Sequence, residues 1–239
     1  MCGRFASYKN LNKLKNIFNV INSDFNLTQS YNISPGQDVN IILSYKFENY
    51  LLSSNWGYNF INSKTQNSQS VINSRIETIS SKLLFKDSFL KRKCIIPANG
   101  YFEWSQKEGE KKPYYIQLGD GELIYFAGVW RKEKYNDDKR RVFSIITKAA
   151  NSKINKIHHR MPVILTPNNG LSWLDLSRTE TTQEKLLIPI SAEKLEVWKV
   201  SRKVSVPTFD NPDCLKKLDD SVTDEKNPEP PEAQASLFD

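Results

Sequence analysis

The sequence is poor in the residues that most often bind metals or form disulfides: its 239 residues include three cysteines and two histidines. The cysteines, Cys2, Cys94 and Cys214, are odd in number and lack the spacing of metal ligands. This pattern suggests neither a disulfide framework nor a zinc site. We therefore expect free, reduced thiols, with no bound metal and no cofactor.

Long apolar runs are also lacking. No stretch approaches the roughly 20 apolar residues that a transmembrane helix needs, and the N-terminus has no apolar signal segment. The hydrophobic content of 38% is nevertheless enough to form a core. We expect a protein that makes no membrane contact and stays in the cytoplasm.

Charge is unevenly distributed along the chain. From residue 218 to residue 239 there are seven acidic residues and one lysine, so this segment has a net charge of −6 and the preceding residues one of +13, given the total of +7. The segment is rich in proline and poor in apolar residues, which is typical of disorder. A strongly basic body favours nucleic-acid binding, although a solvated lysine-rich surface explains the charge equally well.

Short runs of β-forming residues separated by turn signals make up most of the chain. The strands that we predict cover residues 39–43, 50–52, 94–97, 100–104, 113–116, 123–130, 142–147 and 197–204. Helices are predicted over residues 9–19, from Thr78 through Phe85 and over residues 151–157, and a turn-rich loop over residues 30–36. This mixture indicates an α+β fold of curved antiparallel sheets with helices at their sides. We predict one domain over residues 1–217 and a disordered tail over residues 218–239.

Cys2 becomes the N-terminal residue once Met1 is removed, and its small side chain permits that removal. An N-terminal cysteine can attack an aldehyde with its amine and then close a five-membered thiazolidine ring with its sulfur. An α-amino group with a pKa of about 7.7–8.0 keeps a useful neutral fraction at physiological pH. Considered by itself, Cys2 favours the alternative, in which it is a small buried hydrophobic side chain.

Two further residue types suit proton transfer. Histidine is the usual proton shuttle near neutral pH, and because His158 and His159 are adjacent, at most one is expected to face a given site. Glu103 lies between Phe102 and Trp104 in a run typical of a buried strand, where burial would raise the pKa of its carboxyl group and make it a general acid or base. The alternation of side chains along a strand equally allows Glu103 to face solvent.

Six motifs, in this order and spacing, resemble the SOS response-associated peptidase (SRAP) family, and the resemblance runs from the N-terminus to about residue 206. They are Met1-Cys2-Gly3-Arg4-Phe5, Tyr31-Asn32-Ile33-Ser34-Pro35-Gly36, Trp56-Gly57, Asn73-Ser74-Arg75-Ile76-Glu77-Thr78, Pro97-Ala98-Asn99-Gly100-Tyr101-Phe102-Glu103-Trp104 and Ile157-His158-His159-Arg160-Met161-Pro162. The resemblance implies a single SRAP-like domain with a barrel-like arrangement of sheets.

The resemblance also implies a function. The family shields abasic sites in single-stranded DNA, and Cys2 would form a thiazolidine with the aldehyde of the ring-opened sugar. Asn73 matches the asparagine that holds the reacting sugar, and Glu103 matches the active-site acid. His158 matches the histidine that assists proton transfer during ring opening and crosslink reversal.

The same matching suggests the DNA contacts. Arg75 and Arg160 match positions that grip backbone phosphates, and Arg4 is expected to add to the basic surface. For each arginine the alternative is an ordinary surface charge. An abasic site offers no base to read, so recognition has to use phosphates and an aromatic ring stacked on the neighbouring base.

Trp56 is our candidate for that stacking ring, and a core tryptophan is the alternative. Family members commonly continue the Trp-Gly segment with a proline and another tryptophan, which this chain lacks. Tyr58 or Phe60 would have to substitute in the contact to the flanking base.

The chain ends in Gln234-Ala235-Ser236-Leu237-Phe238-Asp239. A glutamine, two small residues and a Leu-Phe pair are similar to the short peptide by which bacterial repair proteins dock on the DNA sliding clamp. A disordered acidic leash could carry Leu237 and Phe238 to a pocket of such a partner, with Gln234 as a polar contact. The alternative is that this ending is accidental.

Three functions remain open from the sequence. The first is covalent capture of abasic DNA, a lyase-like chemistry. The second is a cysteine peptidase, limited to self-processing that removes Met1. The third is non-covalent binding of single-stranded DNA through the basic body. We expect a cytoplasmic, bacterial nucleoid-associated monomer.

Overall fold

The structure, a computed structural model, describes residues 2–8, 13–22, 29–61, 67–105, 111–135, 138–177, 185–188 and 190–218. Its strands are β1 (Arg4–Ser7), β2 (Ser30–Ile33), β3 (Asp38–Tyr45), β4 (Glu48–Trp56), β5 (Tyr58–Ile61), β6 (Ser68–Val71), β7 (Asn73–Arg75), β8 (Lys93–Ala98), β9 (Gly100–Ser105), β10 (Lys112–Leu118), β11 (Ile124–Tyr135), β12 (Asp138–Ala149), β13 (Arg160–Pro162), β14 (Ile164–Leu165) and β15 (Leu195–Lys199). Its α-helices are α1 (Lys13–Phe18), α2 (Lys86–Lys91) and α3 (Pro167–Leu174), and short 3₁₀ helices cover Ile154–Lys156, Ala192–Lys194, Arg202–Ser205 and Pro212–Leu215.

The first large sheet has five antiparallel strands in the order β15–β10–β9–β1–β2. The first strand of the chain, β1, therefore lies inside the sheet, where Arg4 is opposite Phe102 of β9. Side chains alternate between the two faces of a strand. Tyr101 and Glu103 therefore share one face of β9, and Phe102 and Trp104 share the other.

The second large sheet closes into a barrel. Its strands β12, β4, β3, β8 and β11 are hydrogen-bonded in this order, and β11 pairs again with β12. The long strand β12 also binds β7 and β13, and β14 extends β11. Strands β5 and β6 form a separate hairpin. This architecture confirms the predicted α+β class with curved, barrel-like sheets and flanking helices.

The two large sheets pack against each other through a shared apolar layer. Phe5 of β1 contacts Trp56 and Phe126 of the barrel, with ring centroids 4.9 and 5.9 Å apart. Tyr101 contacts the same Phe126 ring at 6.0 Å. Full burial of each such side chain contributes about 1.5–3 kcal/mol. This layer therefore holds the N-terminal strand firmly on the barrel.

The helix predicted to end at Phe85 is wrong. Residues 76–81 and 83–85 form turns, and α2 begins only at Lys86, with Phe85 as its N-cap. The Phe85 ring is buried against Tyr58 at 5.3 Å, which anchors the chain before the helix starts. Residues 30–36 are also not a loop throughout, because β2 covers the segment beside β1.

Helix α3 is not predicted from the sequence, although its start signal is present. The Thr166 side chain caps it by accepting a hydrogen bond from the Asn169 N–H at 3.3 Å, and Pro167 occupies the first turn. Two other elements are shorter than predicted: residues 154–156 form only a 3₁₀ turn, and β15 ends at residue 199. Several strands are longer than predicted, among them β4 and β12. Residues 13–18 of the first predicted helix are helical, and residues 9–12 lie outside the described residues.

The described residues end at residue 218, so the rest of the predicted tail, including Gln234, Leu237 and Phe238, lies outside them. The domain boundary at residue 217 stays a prediction. None of the helices in the described ranges has the length and apolarity to cross a membrane.

Candidate active site

Cys2 lies just before β1, in the apolar layer between the two sheets, and is fully buried. Burial raises the pKa of its thiol well above the ordinary value, and the negative charge of Glu103 raises it further. The thiol donates to the Arg4 carbonyl oxygen, 3.8 Å from Sγ. The thiol is therefore protonated at neutral pH and has to lose its proton to a base before it can act as a thiolate.

Asn73 joins the two sheets at this point. It begins β7, which the barrel strand β12 holds by pairing Asn73 with Ile145. Its side-chain Nδ2 donates a hydrogen bond of 2.8 Å to the main-chain carbonyl oxygen of Cys2. The other end of the amide, Oδ1, is buried and has no hydrogen-bond partner among the described residues. Buried polar atoms are rarely left unpaired, so this oxygen is an acceptor available to a bound molecule.

Glu103 is buried, with 3% of its surface exposed, so the solvent-facing alternative is wrong. The pairing of Arg4 with Phe102 carries Glu103 to the end of β1 where Cys2 lies. One carboxylate oxygen accepts the Trp104 N–H at 3.4 Å. The charge of Glu103 contributes to raising the pKa of three neighbours, Cys2, Tyr101 and His158. A carboxylate that influences all of them stands at the centre of this group.

His158 is half-buried and follows the 3₁₀ turn at residues 154–156. Its Nδ1 lies 3.0 Å from the Arg160 nitrogen and 3.2 Å from the Arg160 carbonyl oxygen. It accepts from the Arg160 N–H when the ring proton is on Nε2, and it donates to the carbonyl oxygen when the proton is on Nδ1. Burial lowers the pKa of the imidazole, and Glu103 partly opposes this effect. His158 is therefore mostly neutral at pH 7. His159 stacks on it at 4.4 Å and is exposed.

Tyr101 is a site residue that the sequence analysis did not single out. Its hydroxyl is fully buried and has no partner among the described residues. Burial raises the pKa of the phenol well above its ordinary value, with smaller contributions from Cys2 and Glu103. The available signal was the spacing of two between Tyr101 and Glu103, which puts both on one face of β9.

Two of the three arginines predicted to bind DNA make hydrogen bonds to the protein itself. Arg4 donates to the Asn32 side chain at 3.0 Å and to carbonyl oxygens of the segment at residues 204–205, at 3.3 and 3.0 Å. Arg160 is buried and binds both carboxylate oxygens of Glu77, at 2.6 and 2.9 Å. These two guanidinium groups hold the fold together in this structure. Arg75 is exposed.

The predicted stacking role of Trp56 is incorrect for this structure, and the core alternative is what the structure has. The indole is fully buried, lies parallel to Phe143 at 6.3 Å and donates from Nε1 to the Ile72 carbonyl oxygen at 3.0 Å. Its ring faces are thus covered by protein and not available to a base. Tyr58 is fully buried too, whereas Phe60 is only partly buried.

The structure thus brings together Cys2, Asn73, Glu103 and His158, which the chain separates by up to 156 positions. Within the described residues no group of three or more His, Cys, Asp or Glu side chains could hold a metal ion. The arrangement offers a thiol, a buried carboxylate, a neutral imidazole and an amide acceptor around one point. It suits addition to a carbonyl carbon with local proton transfer.

Comparison with known proteins identifies the family of the chain. The SOS response associated peptidase (SRAP) family matches residues 1–207. Abasic site processing protein YoqW of Bacillus subtilis is 32% identical over 223 residues, covering 90% of this chain and 99% of that protein. Abasic site processing protein YedK of Escherichia coli is 29% identical over 212 residues, covering 85% and 94%.

A solved structure shares the fold. The crystal structure of a protein from Bacteroides thetaiotaomicron is similar with a TM-score of 0.77 and 26% identity, covering 91% of this chain and 100% of that one. Together with the family match over residues 1–207, this shows that the chain belongs to the SOS response associated peptidase (SRAP) family.

Proposed function

We propose that this protein captures abasic sites in single-stranded DNA by forming a covalent thiazolidine between Cys2 and the aldehyde of the ring-opened sugar. The observation that carries the proposal is the hydrogen bond of 2.8 Å from Asn73 Nδ2 to the Cys2 carbonyl oxygen, which holds the Cys2 main chain beside Glu103. The names of the relatives YoqW and YedK support an abasic site as the substrate. The net charge of +13 over residues 1–217 supports DNA as the partner.

The reaction requires Cys2 to be the first residue, because its nitrogen is part of an amide until Met1 is removed. The free amine attacks C1′ of the aldehyde to form a C–N bond, and the resulting carbinolamine loses water to give an imine. The sulfur then attacks the imine carbon and forms the C–S bond, while the thiol proton leaves to a base and the nitrogen gains a proton. The net reaction joins the aldehyde and the aminothiol, releases one water and involves no oxidant or reductant.

Glu103 and His158 are the groups that we propose to move the protons. The raised pKa of the Cys2 thiol keeps the proton on sulfur at neutral pH, so a nearby base has to accept it during the second step. The charge of the buried Glu103 carboxylate acts on Cys2, and this carboxylate is the base that we propose to take the proton. His158 has a lowered pKa and is mostly neutral, so in the tautomer with its proton on Nδ1 its Nε2 can accept a proton from the sugar hydroxyl during ring opening and return it.

Asn73 and Arg75 would hold the DNA. The buried Oδ1 of Asn73 can accept a hydrogen bond from the reacting sugar, while its Nδ2 keeps Cys2 in place. Arg75 lies two residues later, at the end of the same strand, and is exposed, so its guanidinium can reach a backbone phosphate. We assign the phosphate contact to Arg75 rather than to Arg4 or Arg160, whose guanidinium groups bind protein acceptors.

A general cysteine peptidase is less well supported. A peptidase nucleophile needs a thiol with a lowered pKa, usually because a protonated histidine lies next to it. Here the pKa of Cys2 is raised and that of His158 is lowered. Self-processing that releases Met1 stays a second proposal, because it needs a single turnover and leaves the Cys2 amine free for capture.

The experiment that tests the proposal uses single-stranded DNA with one abasic site, incubated with purified protein and separated on a denaturing gel. Wild type, Cys2→Ala, Cys2→Ser and a chain with a blocked Cys2 amine are compared. A heat-stable shifted band should appear for wild type alone. A band of equal intensity for any of the other three would exclude the thiazolidine. If wild type binds the strand but gives no shifted band on the denaturing gel, the protein is a non-covalent binder.

We also propose a partner for the C-terminal tail, residues 218–239. Its residues after residue 218 lie outside the described part of the chain, and the support is the sequence ending Gln234-Ala235-Ser236-Leu237-Phe238 alone. We infer that Leu237 and Phe238 dock on the DNA sliding clamp and bring the protein to replicating DNA.

A further inference from the structure

A cleft of about 490 Å³ opens beside the candidate active site, and four lysines line it. We call it the lysine cleft. The residues used below are Ser105, Lys112, Tyr114, Lys153, Lys156 and Lys199. None of the described residues that line the cleft is acidic.

The floor of the lysine cleft is the same sheet face that carries Glu103. Tyr114 of β10 lies directly opposite Glu103 on one side and opposite Lys199 of β15 on the other. Lys112, two residues before Tyr114, lies opposite Ser105. Because opposed residues of paired strands point to the same face, this face runs without interruption from the buried carboxylate to the lysines at the end of the sheet.

The opposite wall of the lysine cleft leads to the same place. Lys156 ends the 3₁₀ turn and is followed by Ile157, which also lines the cleft, and by His158. A molecule in the cleft therefore lies between the segment that ends in His158 and the strand that carries Glu103. The cleft is an outward extension of the candidate active site.

The electrostatics of the lysine cleft call for an anion. Gathering four ammonium groups along one cleft raises the positive potential there, because the potentials of like charges add and low-dielectric walls concentrate the field between them. Lys153 uses one of its three donors on the Leu195 carbonyl oxygen at 2.6 Å, which fixes its position and leaves its charge in place. Lysines present point charges that match phosphate oxygens, and the partly buried Tyr114 adds an aromatic ring of the kind on which bases stack.

We propose that the lysine cleft binds the sugar–phosphate backbone of the DNA strand on one side of the abasic site. This inference rests on the proposed function, because it takes the lesion to be at Cys2. A strand whose lesion lies at Cys2 and Glu103 has one flank leading into the cleft and the other leading away from it. The cleft therefore gives the protein a directional grip on the strand, in which the two flanks contribute unequally to affinity.

The test measures equilibrium binding to single-stranded DNA that carries a tetrahydrofuran abasic analogue, which has no aldehyde and cannot crosslink. Wild type, the cleft variant Lys112→Ala/Lys156→Ala and the charge-matched control Lys46→Ala/Lys132→Ala are compared by fluorescence anisotropy over a series of salt concentrations. Both control lysines are exposed and neither lines the cleft. Thermal unfolding of each variant establishes that it is folded.

Each phosphate contact that is lost should reduce the slope of log K against log salt by about 0.7 for a single strand. For the cleft variant, the slope of log K against log salt should thus be smaller in magnitude by about 1.4, and binding at low salt should be roughly tenfold weaker. The control should keep the wild-type slope. With DNA that ends at the lesion on one side, the difference between wild type and the cleft variant should vanish for one polarity only.

Equal slopes for the cleft variant and the control would overturn the inference, as would a loss of affinity that persists whichever flank is removed. The proposed function has its own readout, which is the wild-type crosslink to aldehyde-bearing DNA. If wild type fails to crosslink, the proposed function fails, while the anisotropy series still decides whether the cleft binds the strand.

Discussion

Asn73 and Cys2, which lie 71 positions apart, are joined by a hydrogen bond of 2.8 Å from the Asn73 side chain to the Cys2 main-chain carbonyl oxygen. The bond connects the barrel to the segment before β1 and fixes the position of the Cys2 main chain. Asn73 binds the Cys2 carbonyl oxygen and not the thiol, whose hydrogen bond is to the Arg4 carbonyl oxygen at 3.8 Å.

Replacement of Asn73 by Ala should reduce both stability and capture. It leaves the Cys2 carbonyl oxygen without its donor in a buried seam, which costs about 1–3 kcal/mol of unfolding free energy. The crosslinking rate should fall as well, because the Cys2 main chain is no longer held. Urea unfolding and a crosslinking time course measure the two effects. Asn155→Ala, at an exposed position, is the control, and an Asn73→Ala protein with wild-type rates would show that the bond does not position Cys2.

The Glu77–Arg160 pair should make stability sensitive to acid. The hydrogen bond from Arg160 lowers the pKa of Glu77 below its ordinary value of 4.5. A carboxyl group with a lowered pKa stabilises the fold above about pH 4.5, and that contribution is lost as the pH falls through the lower, folded-state pKa. Glu77→Gln should therefore destabilise the protein at neutral pH and flatten the decline of its stability below pH 4.5.

The cost of Glu77→Gln should be about 1–2 kcal/mol at pH 7, less than for a fully buried pair, because the Glu77 side chain is half exposed. Chemical denaturation at a series of pH values measures it. Parallel curves for wild type and variant between pH 3 and pH 5 would contradict the assignment of this acid sensitivity to Glu77.

Trp56 should matter for folding and not for base stacking. Trp56→Phe removes the Nε1–H that satisfies the Ile72 carbonyl oxygen and leaves space in the core, so it should cost roughly 2–4 kcal/mol. The affinity of the folded variant for tetrahydrofuran-containing DNA should equal that of wild type. Calorimetry and anisotropy measure the two quantities, and a Trp56→Phe protein of normal stability with weakened DNA binding would restore the stacking role.

Tyr101→Phe should not destabilise the protein. Its hydroxyl is buried and has no partner among the described residues, so removing the oxygen relieves a desolvation cost of up to about 1–3 kcal/mol. We expect a melting temperature equal to that of wild type or higher. Tyr114→Phe, at a partly exposed position on the neighbouring strand, is the matched control. A lowered melting temperature for Tyr101→Phe alone would mean that the hydroxyl has a structural partner.

Deletion of residues 234–239 should abolish binding to the sliding clamp and leave crosslinking to naked DNA unchanged. The deletion removes the Leu-Phe pair, which we expect to fill a pocket on the partner. A pull-down with purified clamp and the denaturing-gel assay measure the two properties. Alanine replacement of Leu237 and Phe238 together is the finer version, and retained clamp binding in either variant would end the proposal.

The candidate site was predictable from the sequence to the extent that its residues are chemically unusual. An N-terminal Cys2, an acid between two aromatic residues and a histidine pair stand out in a chain with so few cysteines and histidines. Tyr101 does not stand out, because its role depends on whether its hydroxyl finds a partner. That is a property of the packed environment and not of the residue type.

The hydrogen-bond partners of the arginines and the burial of Trp56 could not be predicted from the sequence. A motif indicates that an arginine is needed but not which acceptor reaches it first. Arg160 meets Glu77 across 83 positions and Arg4 meets the carbonyl of Ser205 across 201. The sequence likewise allows Trp56 to lie in the core or on the surface, and only the closing of the barrel covers its ring.

By itself, the sequence determined the α+β class, the family and the candidates for the reactive groups, because strand patterns and rare side chains are local properties of the chain. Only the tertiary structure decided that Cys2 is held by Asn73, that Glu103 is buried, that Arg4 and Arg160 serve the fold and that four lysines share a cleft beside His158. The physical reason is that burial, hydrogen-bond partners and local potential depend on residues that the chain separates by tens to hundreds of positions and that strand pairing brings together.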